Sequence, residues 1–133
     1  MEEIEAYFKK DTYAGVTGIR LLDVSEGRAR AMLEVTEHHR NSAGTVHGGV
    51  IFTLADFAFA AAAHSHGTVA VAIHSSISFF KAVSDGILYA EAKEISIHPK
   101  LASYIVDVTN DKNEHIASFQ GMAFRKKDVL KIE

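Results

Sequence analysis

The sequence predicts an α+β fold in which a curved antiparallel sheet of five to six strands wraps around one long central helix. Three observations carry this prediction. One apolar stretch has the length of a helix, several other segments alternate apolar and polar side chains with the period of a strand, and the connections between those segments are short. Short connections leave no room for crossover helices, so the strands should pair antiparallel.

The N-terminal segment, residues 1–14, is predicted to be helical. Ile4, Tyr7 and Phe8 recur at helical spacing between charged residues, so this amphipathic helix should cover one edge of the core and end before Gly15. Two strand-like segments follow at residues 19–24 and 28–35, joined by a turn at Glu26 and Gly27.

The central helix is predicted over residues 48–66, after an irregular polar loop at residues 38–45. Phenylalanines and alanines lie around its whole circumference, which is typical of a helix enclosed on nearly all sides. Its apolar part, residues 50–63, is interrupted by Asp56 and is shorter than the ~20 residues that span a bilayer. We therefore expect a buried core helix and no membrane partner.

Four more strands are predicted after the helix, at residues 68–82, 87–97, 101–109 and 115–125. The turns that separate them are rich in Gly, Pro, Asn and Asp. With no linker, repeat or low-complexity tract in between, residues 1–133 should form a single domain.

Composition excludes several classes of function. The 17 acidic and 14 basic residues are scattered and give a net charge of -3, so no basic stripe is available for nucleic acid. The absence of cysteine excludes disulfides, thiolate metal sites and a cysteine nucleophile.

The first ten residues lack the basic start and apolar run of a secretion signal, so a cytoplasmic location is expected. The eight histidines include no HExxH pair, and the acidic residues nearest His38-His39 and His64-x-His66 form no recognisable ligand set; we expect no metal and interpret these four histidines as solvated.

Asp56 is the one carboxylate within the apolar helix. A buried charge costs several kcal/mol unless it is paired, hydrogen-bonded or reachable by water. Two interpretations follow: a structural aspartate bonded to a neighbouring strand, or a catalytic carboxylate.

The start of the same helix, His47-Gly48-Gly49, also has two interpretations. Glycines let a ligand approach the backbone, and free amide groups at a helix start can bind developing negative charge on a carbonyl oxygen. Glycines are also ordinary turn residues, so a purely structural role remains the alternative.

The spacing of these two features favours a dimer. Asp56 lies eight residues after Gly48, which corresponds to ~12 Å along a helix axis. A single carbonyl cannot lie ~3 Å from both. If both act on the same bond, one must come from each of two chains related by a two-fold axis, with the two helices antiparallel.

The segment Asn41-Ser-Ala-Gly44-Thr-Val-His47-Gly48-Gly49, followed by Leu54-Ala-Asp56, resembles the motif of PaaI-like hotdog-fold thioesterases, the phenylacetate-degradation type. The spacing matches throughout, and the resemblance extends over most of the chain. It implies a hotdog fold and acyl-CoA thioesterase activity.

The resemblance also implies roles for the motif residues. Asp56 would be the general base for a water, or a nucleophile that forms a transient anhydride. The Gly48 amide of the partner chain would polarise the thioester carbonyl. Asn41 would position the water or the carboxylate, and His47 would hold the loop; the alternatives are a turn residue and a helix cap. No cofactor is needed, because a thioester is already activated.

The expected substrate is an aryl-acyl-CoA resembling phenylacetyl-CoA, or a medium-chain acyl-CoA. Gly49, Phe52, Phe79 and Phe80 are the candidate substrate-binding residues, although the phenylalanines could equally be core. The expected assembly is a homodimer, with a homotetramer as the further possibility for this type. Two other functions stay open: a hotdog dehydratase or hydratase acting on 3-hydroxyacyl thioesters, and a non-catalytic acyl-CoA-binding protein.

Overall fold

The α+β prediction is confirmed by a computed structural model that describes residues 2–131. The helices are α1 (Glu2–Phe8), α2 (Thr12–Thr17) and α3 (Gly48–Ala63). The strands are β1 (Ile19–Ser25), β2 (Arg28–Glu34), β3 (Thr68–Phe79), β4 (Ile87–Ile97), β5 (Leu101–Asn110) and β6 (His115–Val129). They form one antiparallel sheet in the order β1-β2-β4-β5-β6-β3.

Helix α3 packs along the sheet. It ends at Ala63, and His64–His66 continue as a short 3-10 turn that Gly67 closes in the left-handed conformation. Alanines allow the helix to lie close to the strands, and at Gly121 of β6 a Cβ atom would lie only 2.9 Å from the ring of Phe59. The site-bearing helix is therefore fixed rigidly against the sheet.

The predicted enclosure of α3 on nearly all sides is wrong for this chain alone. The side facing the sheet is fully buried, as at Leu54 and Ala58, but a strip on the opposite side is only half-buried. Helical spacing aligns the members of this strip, which are Phe52, Thr53, Asp56 and Ala60. A single sheet can cover only one side of a helix.

The predicted N-terminal amphipathic helix is present as α1, with Ile4 and Phe8 buried, but it is shorter than expected and a second helix follows it. The chain breaks after Phe8 and starts a second helix at Thr12, which runs through Gly15 to Thr17. Asp11 caps this helix by accepting a hydrogen bond from the Ala14 amide at 3.0 Å. The positive φ of 93° at Gly18 ends it.

Within the described part of the chain, strand β3 forms an edge of the sheet and pairs only with β6. It stops at Phe79 instead of continuing to residue 82, because the amides of Phe80 and Lys81 both turn to the Ile116 carbonyl. Apolar side chains are exposed along it, including Val71 at 48% and Ile73 at 54%. Such an edge can accept a further strand.

The segment Gly48–His66 has the length and composition of a membrane-crossing helix. Most of it is buried inside the fold, as in the core helix of a globular protein.

Candidate active site

The loop that leads into α3 is a narrow hairpin. The Asn41 amide donates to the Thr45 carbonyl at 2.7 Å, and Arg40 forms an isolated bridge with Val46. The Asn41 side-chain oxygen accepts from the amides of Ala43 and Thr45 and from the Thr45 hydroxyl, at 3.0 to 3.2 Å. Because its oxygen is fully used inside the loop, Asn41 can offer a ligand only its side-chain NH2 group.

His47 caps α3. Its Nδ1 accepts the Gly49 amide proton at 2.9 Å, so a neutral His47 ring carries its own proton on Nε2. The amides of Val50 and Ile51 donate to the His47 carbonyl. Within residues 2–131, the Gly48 amide is the member of this first turn that has no acceptor, so it is free to bind a ligand oxygen.

A side chain at either glycine of this turn would lie close to a neighbouring ring. A Cβ atom on Gly48 would lie 3.2 Å from the ring of Phe79, and one on Gly49 would lie 3.0 Å from Nδ1 of His47. Phe79, at the end of β3, is half-exposed and lies beside the free amide. The helix start thus brings His47, Gly48, Gly49 and Phe79 together.

Asp56 lines a cavity of about 320 Å3 beside the middle of α3. Phe52, Thr53, Phe57 and Ala60 of the same helix contribute to the wall. The Thr53 hydroxyl donates to the Gly49 carbonyl at 2.7 Å and is therefore not available to the carboxylate.

The Asp56 carboxylate makes no hydrogen bond or ion pair to any other group in residues 2–131, so the structural interpretation of a bonded aspartate is not supported. Burial raises its pKa above the ordinary value of 3.8, and the negative charge of Asp11 raises it further. A half-buried carboxylate with unused lone pairs and increased basicity can take a proton from a bound molecule.

The remaining predicted residues divide between two places. Phe52 lies in the Asp56 cavity, where its ring meets Phe119 edge-on at 5.4 Å. Phe80 is exposed and packs on His115, with ring centroids 5.0 Å apart, in a cleft that also contains Ser118 and Gln120. The cleft of Phe80 is separate from the cavity of Asp56 in this chain.

Sequence reasoning missed the part of the Asp56 cavity that comes from the start of α2, namely Asp11, Tyr13 and Ala14, and also Thr53 and Ala60 of α3. An aspartate that precedes a short helical run is a recognisable N-cap signal, so α2 itself could have been found. Its contact with the middle of α3 depends on the tertiary fold and has no local signal.

The interpretation of the loop histidines as solvated is wrong for His39 and His64, which are buried. His39 joins the site loop to α2: its Nδ1 accepts from the Thr36 amide at 2.9 Å and its Nε2 donates to the Thr17 carbonyl at 2.6 Å. Across residues 2–131, no three His, Asp or Glu side chains are grouped so that they could hold a metal ion.

Comparison with known proteins identifies the family. The sequence profile of the thioesterase superfamily matches residues 43–117, which include the helix start and Asp56. This chain belongs to the thioesterase superfamily. Within it the chain is of the PaaI-like hotdog type, and it is a thioester hydrolase.

Individual relatives agree with this assignment. The acyl-coenzyme A thioesterase PaaI of Escherichia coli is 30% identical over 125 residues, covering 93% of this chain and 89% of that protein. The structure of the E. coli PaaI protein superimposes with a TM-score of 0.93 over 98% of this thioesterase and 95% of that chain, at 29% identity. A Streptococcus mutans protein bound to acetyl-CoA matches with a TM-score of 0.80 at 25% identity, covering 85% of this chain and 91% of that one.

Proposed function

We propose that this thioesterase hydrolyses an acyl-CoA to a free acid and CoA. The acyl group is an aryl-acyl group like that of phenylacetyl-CoA, or a medium-chain acyl group. The observation that carries the proposal is the unpartnered, half-buried carboxylate of Asp56 in a cavity on the central helix. A CoA thioester is supported by the relatives, since the E. coli one is an acyl-CoA thioesterase and the S. mutans one was solved with acetyl-CoA.

Asp56 acts as the general base in the proposed reaction. A water molecule attacks the thioester carbonyl carbon and gives its proton to the carboxylate, the tetrahedral intermediate breaks its C–S bond, and the proton passes to the departing thiolate of CoA. The raised pKa of Asp56 supports this role, because a more basic carboxylate accepts the proton more readily. The competing role is attack by the carboxylate itself to give an anhydride that water then opens.

The amide of Gly48 stabilises the oxyanion. It is free while its neighbours are capped, and it lies at the positive end of a helix of 16 residues. His47 supports it indirectly, because its bond to the Gly49 amide fixes the first turn in which Gly48 lies.

Asn41 acts as a hydrogen-bond donor in the proposed site. Its oxygen is committed to the loop, so its NH2 group can hold the oxygen of the attacking water or of the Asp56 carboxylate. In this proposal Asn41 therefore donates a hydrogen bond to the water or the carboxylate and does not accept one from the water.

Two chains build each proposed site. Because α3 is unbroken from Gly48 to Ala63, the eight residues between Gly48 and Asp56 separate them by ~12 Å along the axis. A homodimer with antiparallel α3 helices brings the carboxylate of one chain to the amide of the other. The unpaired edge of β3, the exposed apolar side chains on it and the uncovered strip of α3 support such an assembly. A homotetramer would pair two such dimers.

The acyl group occupies the cavity beside Asp56 in the proposed complex, with Phe52 on its wall. Gly49 and Phe79 lie at the carbonyl end, next to the Gly48 amide. Phe80 reaches the substrate only if the second chain brings its cleft to the site.

The test is release of free thiol from a panel of aryl-, short- and medium-chain acyl-CoAs by the wild type and by Asp56→Asn. Asparagine has nearly the same shape but cannot take the proton, so turnover should fall by ~10²–10⁴-fold while the assembly stays folded. Sedimentation of both proteins is the control for assembly.

Full activity in Asp56→Asn would remove this residue from the mechanism. Loss of water from an added 3-hydroxyacyl-CoA, or addition of water to a 2-enoyl-CoA, without thiol release would identify a dehydratase or hydratase, and saturable binding without any of these reactions would identify an acyl-CoA-binding protein.

A further inference from the structure

We propose that Asp11, the N-cap residue of α2, is a positioning residue that holds a negative charge against the Asp56 carboxylate across their shared cavity and makes Asp56 a stronger base. The inference rests on the proposed role of Asp56 in hydrolysis. It assigns a function to the N-terminal helices, which otherwise lie outside the thioesterase motif.

The position of Asp11 is fixed by hydrogen bonds on both sides. Its side chain accepts from the Ala14 amide at 3.0 Å, its own amide donates to the Phe8 carbonyl at 3.1 Å, and its carbonyl accepts from the Gly15 amide at 3.0 Å. The capping bond holds the carboxylate of Asp11 at the start of α2.

The junction of α1 and α2 is anchored on α3. The ring of Phe8 meets edge-on both the ring of Phe57, the residue after Asp56, and the ring of His64 at the carboxyl end of the helix, with centroids 5.4 Å apart in each pair. Asp11 follows Phe8 by three residues, so this packing brings its carboxylate to the cavity that contains Asp56. Among the described residues that line this cavity, Asp11 and Asp56 are the two acids, and they come from different helices.

The other ionisable groups around the junction form no hydrogen bond or ion pair with the carboxylate of Asp11 within residues 2–131. Asp11 also lines a cavity of about 380 Å3 together with Glu5, Lys9 and Arg20, and another together with Lys10 and His64. Lys9 and Lys10 are exposed, and neither forms an ion pair within residues 2–131. Tyr13 is the remaining ionisable neighbour on α2, and the side of α3 that faces the sheet meets buried apolar residues.

The electrostatic consequence follows from the placement. Burial is the main cause of the raised pKa of Asp56, and the like charge of Asp11 adds to it. A base of higher pKa takes the proton of water more readily, provided that it is still ionised at the working pH. Asp11 thus supplies basicity that burial alone does not give.

Asp11→Asn separates this charge effect from the structural role. Asparagine caps a helix as well as aspartate does, so the fold of α2 should be kept while the charge is removed. The matched control is Glu91→Gln, which removes one negative charge from the exposed outer side of β4. In the sheet, Glu91 lies opposite Arg30 of β2 and Asp107 of β5.

The first readout is the pH profile of kcat/KM for thiol release. In Asp11→Asn the acidic limb should move to lower pH by a few tenths of a unit at low ionic strength. Raising the salt to about 1 M should move the wild-type limb in the same direction, because screening then acts within ~3 Å, and should leave the variant nearly unchanged. Glu91→Gln should keep the wild-type profile.

The second readout does not depend on activity. Carbon-13 NMR of the aspartate carboxyl groups, with the Asp56 signal assigned by its loss in Asp56→Asn, follows the titration of Asp56 directly. A lower midpoint in Asp11→Asn, with no change in Glu91→Gln, supports the proposal, and identical midpoints in the wild type and Asp11→Asn overturn it. Failure of the proposed function is recognised separately, as full hydrolytic activity in Asp56→Asn.

Discussion

The two ends of α3 differ in how their polar groups are used. At the amino end, the Gly48 amide, the Asn41 side-chain NH2 and the proton on Nε2 of a neutral His47 have no acceptor among residues 2–131. These groups belong to an exposed loop and the helix start that follows it. Half-way along the helix, the Asp56 carboxylate also has no hydrogen-bond partner among residues 2–131.

At the carboxyl end the polar groups are paired with one another. Nδ1 of His64 lies 2.7 Å from the Ala60 carbonyl, and the Ser65 hydroxyl accepts from the Gly27 amide at 2.7 Å. One carboxylate oxygen of Glu94 accepts both from the Tyr104 hydroxyl and from Nε2 of His66, each at 2.7 Å. Burial, and then this bond to Glu94, raise the pKa of the Tyr104 hydroxyl, which stays a donor.

This difference indicates which polar groups on a helix of nearly uniform composition are candidates for a catalytic role. Polar groups that satisfy one another stabilise the fold, because each bond compensates the desolvation of its members. Polar groups that are left open at partly exposed positions have no such structural role, and their hydrogen-bonding capacity remains for a ligand.

The largest effect is expected at the amino end of α3, where Gly48→Pro is compared with Gly48→Ala. Gly48 is the first helical residue, where proline is tolerated, and His47 already has the extended backbone that precedes a proline, with φ of -60° and ψ of 135°. Both variants place a Cβ against Phe79, but only proline removes the amide proton. Steady-state kinetics should show kcat lower by ~10²–10³-fold in Gly48→Pro than in Gly48→Ala. Equal rates would contradict an oxyanion role for this amide.

At the carboxyl end, removing one member of a hydrogen-bonded pair should lower the stability of the fold and leave catalysis unchanged. Glu94→Ala leaves the buried Tyr104 hydroxyl without an acceptor and should lower the free energy of unfolding by about 1–3 kcal/mol in urea titrations. Tyr104→Phe removes a single donor and should cost about 1 kcal/mol. Both variants should keep kcat for thiol release, and a large loss of kcat in a folded Tyr104→Phe would show that the two ends are not separate.

The open carboxylate should itself cost stability. Because the pKa of Asp56 is raised in the folded state, its contribution is complete below the ordinary value of 3.8 and is lost as the pH rises through the raised pKa. Asp56→Asn carries no charge and escapes this loss, so at pH 7 its Tm should exceed that of the wild type by about 2–4 °C. The gain should disappear in acid; a variant that is less stable at pH 7 would indicate a bonded, structural Asp56.

The smallest effect is expected at His64. Burial lowers its pKa below 6.5, so the unfolded chain binds the proton first, and the stability due to neutral His64 is complete above pH 6.5 and falls as the pH drops below it. His64 stacks on Tyr7 of α1, with centroids 5.3 Å apart. Amide hydrogen exchange in α1 should therefore accelerate between pH 7 and 5, after correction for intrinsic rates, and less so in His64→Gln. Equal acceleration in both proteins would remove His64 as the cause.

The sequence by itself determined the α+β class, the central helix and most strand positions, because helix and strand periodicities are local properties of the chain. It also singled out Asp56 and the glycines at the helix start, since a charge inside an apolar run and a Gly-Gly pair are visible without coordinates. Only the tertiary structure decided that His39 and His64 are buried, that the oxygen of Asn41 is used within its loop, and that Asp11 shares a cavity with Asp56. The reason is physical: which of these groups lose water, and which meet a partner, depends on chain segments far apart in sequence that the sheet and α3 bring together.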